Sequence, residues 1–212
     1  MYNKLKTSVG GFEEAIQKFD GTFPVSHLKF MMDDLGTKYA GETRVPINLG
    51  SGPLSPDYVI TIVINNNSSK AGANYRPNLM VAKTIAHEVI HAEMFRKLMS
   101  LTQQPNFDKF TRQELINLLS NGDYPGIYYY YREYRNWQHV QMATHYRQTI
   151  ADILQEFDGY KHTRQFYMDL AWEGLMYNNI PTWSNKPTTK KKSIKNTILN
   201  YIANNRNEGC QK

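Results

Sequence analysis

The sequence predicts an α+β domain, or a mainly helical one, in which a little β-structure comes before most of the helices. Three observations lead there. The run Tyr58–Ile64 (YVITIVI) is apolar and β-branched, as a strand requires. A long helical run follows it from Pro77 to about Met99, and most of the remaining chain reads as further helices. Strands first and helices afterwards is the order of an α+β fold.

Residues 11–19 and 25–35 read as short helices, the second starting near Ser26 and stopping at Gly36. Residues 37–56 are rich in Gly and Pro and read as loop, with room for a short strand. The stretch NNNSSKAGANYRPN ends the Tyr58–Ile64 strand and forms a loop before the long helix. Residues 111–120 (TRQELINLLS) read as a helix with Thr111 as N-cap and Glu114 three places on, a capping box. Gly122 to Gly126 reads as a turn, and Tyr128 to Phe157 as mostly helical. Thr163 to Met176 follows as another helix, with Leu170, Ala171, Trp172 and Leu175 as apolar surface. Ser193 to Ala203 is a last, weaker one. Residues 1–180 are thus expected to form one domain, and 181–212 a basic C-terminal tail carrying the weak helix.

Composition narrows the function classes. A chain of 212 residues is long enough for one sizeable core. No apolar run approaches the roughly 20 residues that span a bilayer, so no membrane partner is expected. The N-terminal stretch MYNKLKTSVGGFEEAIQKFD is polar and lacks an apolar signal core. A cytoplasmic location is expected on that ground, unless the chain was cut from a longer one. Cys210 is the single cysteine, which excludes an internal disulfide and a cysteine-rich structural zinc site. The net charge of +6 lies largely in Lys186, Lys190, Lys191, Lys192 and Lys195. These read first as a solvated tail and alternatively as an arm for nucleic acid or an acidic partner.

The chemistry is carried by His87-Glu88-Val89-Ile90-His91, an H-E-x-x-H pattern inside the long helix. Positions i and i+4 lie one above the other on a helix, so both imidazoles reach one metal ion from one face. Glu88, one place on, approaches without being a ligand. Zinc lowers the pKa of its water ligand towards about 7, and a carboxylate held beside it takes the proton. Met80, Val81, Ala82, Ile85, Ala86, Val89, Ile90, Ala92, Met94, Phe95 and Leu98 make the helix apolar on nearly every side, so it is expected to be buried. Polar groups in such a place need partners. A metal ion is one solution, and hydrogen-bonded core histidines are the plainer one.

Catalytic zinc takes three protein ligands and keeps a position for water. His139 and His145 lie on one expected helix and face different ways. Ala143, Tyr146, Ile150 and Phe157 share the face of His139, an apolar stripe; Gln141, Gln148, Asp152 and Glu156 share that of His145, a polar one. His139 is therefore the expected third ligand, with Glu133 and Glu156 as weaker carboxylate candidates. Tyr146, two turns beyond His139, is a candidate phenol donor to the oxyanion of a tetrahedral intermediate, or else an ordinary core aromatic. The strand Tyr58–Ile64, if it lies at a sheet edge over the cleft, would pair with an extended peptide.

Three segments resemble the zincin metallopeptidases, and within them the SprT-like group: VAKTIAHEVIHAEMF (81–95), QHVQMATHYRQTIADILQEFD (138–158) and MDLAWEGL (168–175). They are similar in particular to zincin domains near the C-termini of large Bacteroidetes proteins. The resemblance implies a zincin-like α+β fold: a small mixed sheet whose edge strand lines the cleft, an active-site helix, and a mainly helical C-terminal part giving the third ligand. It implies Zn2+ as cofactor and a peptide or protein as substrate. In that group the third ligand is a histidine followed closely by an apolar residue, which His139 fits with Met142 and Ala143. The 47 residues between His91 and His139 exceed the usual gap, and the insert at 100–137 contains IYYYYREYRNW. The cysteine zinc ribbon of some relatives is absent.

Three rivals to a plain zinc peptidase follow from the same residues. Alternating Tyr and Arg in Tyr128–Trp137, with the basic tail, suits a nucleic-acid-associated protease or binding module. A zincin that binds metal without catalysis is disfavoured by Glu88. A peptidase toxin or effector domain released from a larger protein would carry the same motif.

Overall fold

The computed structural model describes residues 2–8, 10–17, 19, 26–44, 59–101 and 135–206. The helix expected at 111–120, the turn at Gly122–Gly126 and the run 128–134 lie outside them.

Two short helices, α1 (Tyr2–Ser8) and α2 (Gly10–Gln17), open the chain. Phe12, Ile16 and Phe19 recur at helical spacing and are buried with Leu5, which holds this pair on the body of the protein. The next segment, read from sequence as a helix over 25–35, is instead a strand, β1 (His27–Asp33). Its residues permit both readings: Leu28, Met31, Met32 and Leu35 have helical spacing, while Leu28 and Phe30 alternate with His27 and Lys29. Pairing with a distant strand decides the matter, because backbone partners outside the window outweigh local propensity.

Strand β2 (Gly41–Arg44) is the short strand for which the loop had room, and β3 (Val59–Asn65) is the expected apolar strand. The sheet order is β1-β3-β2, with β1 parallel and β2 antiparallel to β3. Phe30 and Thr43 both stand opposite Ile62. Strand β3 is therefore central, not the edge strand that would take a substrate peptide. Ile60, Ile62, Val63 and Ile64 are buried there, whereas β1 and β2 carry Lys29, Asp33, Glu42 and Arg44, charges suited to edges. Asn65, at the end of β3, is fully buried and ties down the β1–β2 connection. Its Nδ2 donates to the carbonyls of Gly36, at 2.8 Å, and Tyr39, and its Oδ1 accepts from the amides of Leu35 and Asn67.

Helix α3 (Asn78–Leu101) begins directly after Pro77 and packs on α2, β2, β3 and the later helix over Arg147–Asp158. It is buried on every side from Leu79 to Phe95, as its apolar pattern demands. The segment expected to be helical up to Phe157 comprises α4 (Arg135–Gln141), a π-helical turn (Met142–Tyr146) and α5 (Arg147–Asp158), closed by Gly159 in the left-handed conformation. Helix α6 (Arg164–Leu170) starts at Thr163, whose hydroxyl accepts from the Phe166 amide at 3.3 Å. It stops at Leu170 rather than running to Met176, because tight turns replace it and Gly174 takes a φ of +81°.

The segment read as a basic tail carries α7 (Pro181–Ser184) and a 17-residue helix, α8 (Thr188–Asn204). Trp183, Ile194 and Ile198 are buried in the same core as α3 and α5, and Trp172 and Trp183 meet with ring centroids 5.2 Å apart. Among the described residues, no helix is long and apolar enough to cross a membrane.

Candidate metal centre

Helix α3 places His87 and His91 one turn apart, and their Nε2 atoms are 3.1 Å from each other. Helix α4 brings His139 to the same point, with its ring centroid 5.7 Å from that of His87 and 5.1 Å from that of His91. One ring nitrogen from each of the three lies within 4.8 Å of the others, so the cluster can hold a metal ion. Two nitrogens bound to one tetrahedral zinc at about 2.0–2.1 Å stand about 3.4 Å apart, close to the His87–His91 separation. His145 is exposed and Glu156 half-buried, and the cluster found among the described residues contains neither. Glu133 lies outside the described residues.

The surroundings keep all three imidazoles unprotonated. Burial, then the charges of Lys83, His91 and His139, hold His87 well below the ordinary imidazole range. Burial, with the charge of His139, lowers His91 to about 3, against the opposing effect of Gln138. Burial and Lys83 lower His139 to about 4. All three rings are thus neutral at pH 7, the form that a metal ligand requires. Nδ1 of His87 and of His91 are buried without a hydrogen-bond partner among the described residues. A ring that binds a metal ion through one nitrogen ordinarily donates its other N–H to a carboxylate, a carbonyl or water, so a cation on the Nε2 atoms leaves these two Nδ1 atoms to be answered by something else. Three neutral imidazoles that converge within 4.8 Å are a donor set that fits a metal ion.

Glu88 is buried beside them on α3. Burial raises its carboxyl to about 7, against the lowering effects of the Thr43 hydroxyl and of Lys83. Thr43 Oγ1 donates to Glu88 Oε2 at 2.7 Å.

Several neighbours were not foreseen. Lys83, one turn before His87, is buried with its Nζ 3.4 Å from Glu173 Oε2. Arg76 clasps the same carboxylate at 2.6 and 2.7 Å. Burial alone would raise Glu173, but Arg76 and Lys83 outweigh it and hold the carboxyl below its ordinary value. Gly174 then packs directly on His87. Lys83 had a visible signal, a cation set among the apolar residues of the first half of the helix; Thr43 had none. The ring of Tyr177 lies 5.4 Å from that of His139, which brings a phenol to the cluster. Tyr146, the last residue of the π turn, is half-buried against the core. Of the two features read as suited to nucleic acid, 128–134 lies outside the described residues, while Lys190, Lys192 and Lys195 are exposed on α8.

A mixed α+β chain with a three-histidine cluster beside a buried carboxylate is thus the class that the fold and site define. No protein-family model, no curated protein and no solved structure matched it in the comparisons made with each.

Proposed function

We propose that this chain is a zinc-dependent peptidase of the zincin kind, holding the ion through His87, His91 and His139 and using Glu88 as general base. The observation that carries this reading is the convergence of three neutral imidazoles within 4.8 Å, with a buried carboxylate one residue along the same helix. Bound zinc supplies Lewis-acid polarisation of a carbonyl and a lowered pKa for water. Glu88 takes a proton from the water that attacks the peptide carbonyl and delivers it to the departing amine nitrogen. Its buried position one residue along from His87 places it for both halves of that exchange. Tyr177, whose ring packs on His139, joins Tyr146 as a candidate donor to the oxyanion.

The substrate in this reading is an extended peptide laid against the outer edge of β2 by strand addition. Support comes from Thr43, which reaches Glu88 from that strand, so a chain paired beside it would run past the carboxylate. Zinc-loaded protein is expected to cleave an unstructured polypeptide such as casein. Glu88→Gln should keep one zinc per chain and lose about 100- to 10,000-fold in rate, the usual worth of a general base. Wild-type protein with one bound zinc that leaves a broad peptide library intact would overturn the proposal.

A further inference from the structure

Strand β2 does more than complete the sheet. Gly41 and Thr43 are two residues apart, so they address the same side of the strand, and that side faces α3. Thr43 Oγ1 lies 2.7 Å from Glu88 Oε2 and 3.0 Å from the Glu88 backbone oxygen. A hydroxyl has one proton to donate. The shorter contact and the acceptor's charge direct that proton to Oε2 when the carboxylate is ionised. A Cβ at Gly41 would lie 2.7 Å from Thr84 Cγ2, 3.1 Å from Glu88 Cγ and 3.3 Å from Glu88 Oε1. A side chain at Gly41 would therefore crowd the carboxylate out of its position. Thr43 pins one oxygen, and the bare backbone at Gly41 leaves space for the other.

We propose that Thr43 is a positioning residue for Glu88: its hydroxyl fixes the carboxylate through Oε2 and leaves Oε1 to exchange the proton. This rests on Glu88 being the general base. A glutamate turns about three side-chain bonds, whereas a catalytic group must be held to within about 0.5 Å of its productive position. The hydrogen bond spans 45 residues of sequence and joins the edge strand to the helix that carries the metal-binding histidines. It therefore sets the base in a fixed place relative to any peptide paired with β2.

The test compares Thr43→Val, which keeps the shape and loses the hydroxyl, with Thr43→Ser, which keeps the hydroxyl. Each is zinc-loaded, assayed on a peptide substrate and crystallised. For Thr43→Val, kcat is expected to fall about 10- to 100-fold, the usual effect of removing a supporting hydrogen bond in a metal site. KM should stay within about twofold and zinc at one per chain, while the Glu88 carboxylate leaves its place in the crystal. Thr43→Ser should retain both the rate and the Glu88 position. Wild-type kcat in Thr43→Val, an unmoved Glu88 in its crystals, or a Thr43→Ser as impaired as Thr43→Val would each overturn the role. If the wild type cleaves no peptide, the general-base reading fails, and the Glu88 position in the two crystals still decides whether Thr43 holds it. Should Thr43→Val not fold, Thr43→Ala against Thr43→Ser makes the same comparison.

Discussion

Gly174 packs against His87 so closely that a Cβ on it would lie 3.2 Å from the imidazole Cε1 and 3.3 Å from Lys83 Nζ. Its φ of +81° is also one that L side chains rarely adopt. Gly174→Ala is therefore expected to cost about 1–3 kcal/mol from backbone strain and, in addition, to weaken zinc binding by displacing His87. Gly36→Ala is the control. Its φ is +70°, yet nothing lies within 4 Å of the added carbon, so it should show the strain without the metal defect. Zinc affinity and thermal melting of both variants check this; equal zinc affinities would show that the contact does not position His87.

Glu173 balances two cations, Arg76 and Lys83, at the back of the same site. Removing one partner of a buried ion pair leaves uncompensated charge and costs about 3–5 kcal/mol. Glu173→Gln should approach that loss in urea unfolding of the metal-free protein, and Lys83 should then titrate lower still. An unchanged urea midpoint would show that solvent already screens the group.

Acid should destabilise the metal-free protein well before its carboxylates are all protonated. In the folded chain His91 stays neutral down to about 3 and His139 to about 4, while the unfolded chain takes up protons near 6.5. Depressed imidazole values mean that stability is complete above about 6.5 and is lost as pH falls towards 4. Glu88, raised to about 7 from 4.5, works the opposite way between those values, favouring the folded state at low pH. His87 is depressed too, so three groups oppose one. The melting temperature in chelator should be lower at pH 5 than at pH 7.5; a higher value at pH 5 would contradict these shifts.

His139 and His145 should differ sharply on substitution. Losing an outer partner of a metal ligand costs about 10- to 100-fold in affinity, so His139→Ala, which removes a proposed ligand, should exceed about 100-fold. His145 is exposed, and His145→Ala should stay within about twofold, as surface changes do. Competition with a zinc chelator measures both.

What the sequence disclosed here was local. His87, Glu88 and His91 were legible because the ligand spacing and the helix that presents it lie within five residues. His139 was separable from His145 because an apolar stripe marks the inward face of a helix. The π turn at Met142–Tyr146, which shifts the register by about one residue, left no mark in that stripe. Thr43, Gly41 and Tyr177 gave no local sign. Their importance arises from the pairing of β2 with β3 and from the turns after α6, contacts between parts of the chain far apart in sequence. For the same reason β1 resembled a helix until β3 supplied its partner.

The central claim is that one metal ion sits among three imidazoles. Diffraction from zinc-soaked crystals, recorded on both sides of the zinc absorption edge, tests it directly. One anomalous peak is expected, about 2.0–2.1 Å from Nε2 of His87, Nε2 of His91 and a ring nitrogen of His139. Zinc found elsewhere, or no peak with these rings left as they stand, would contradict it.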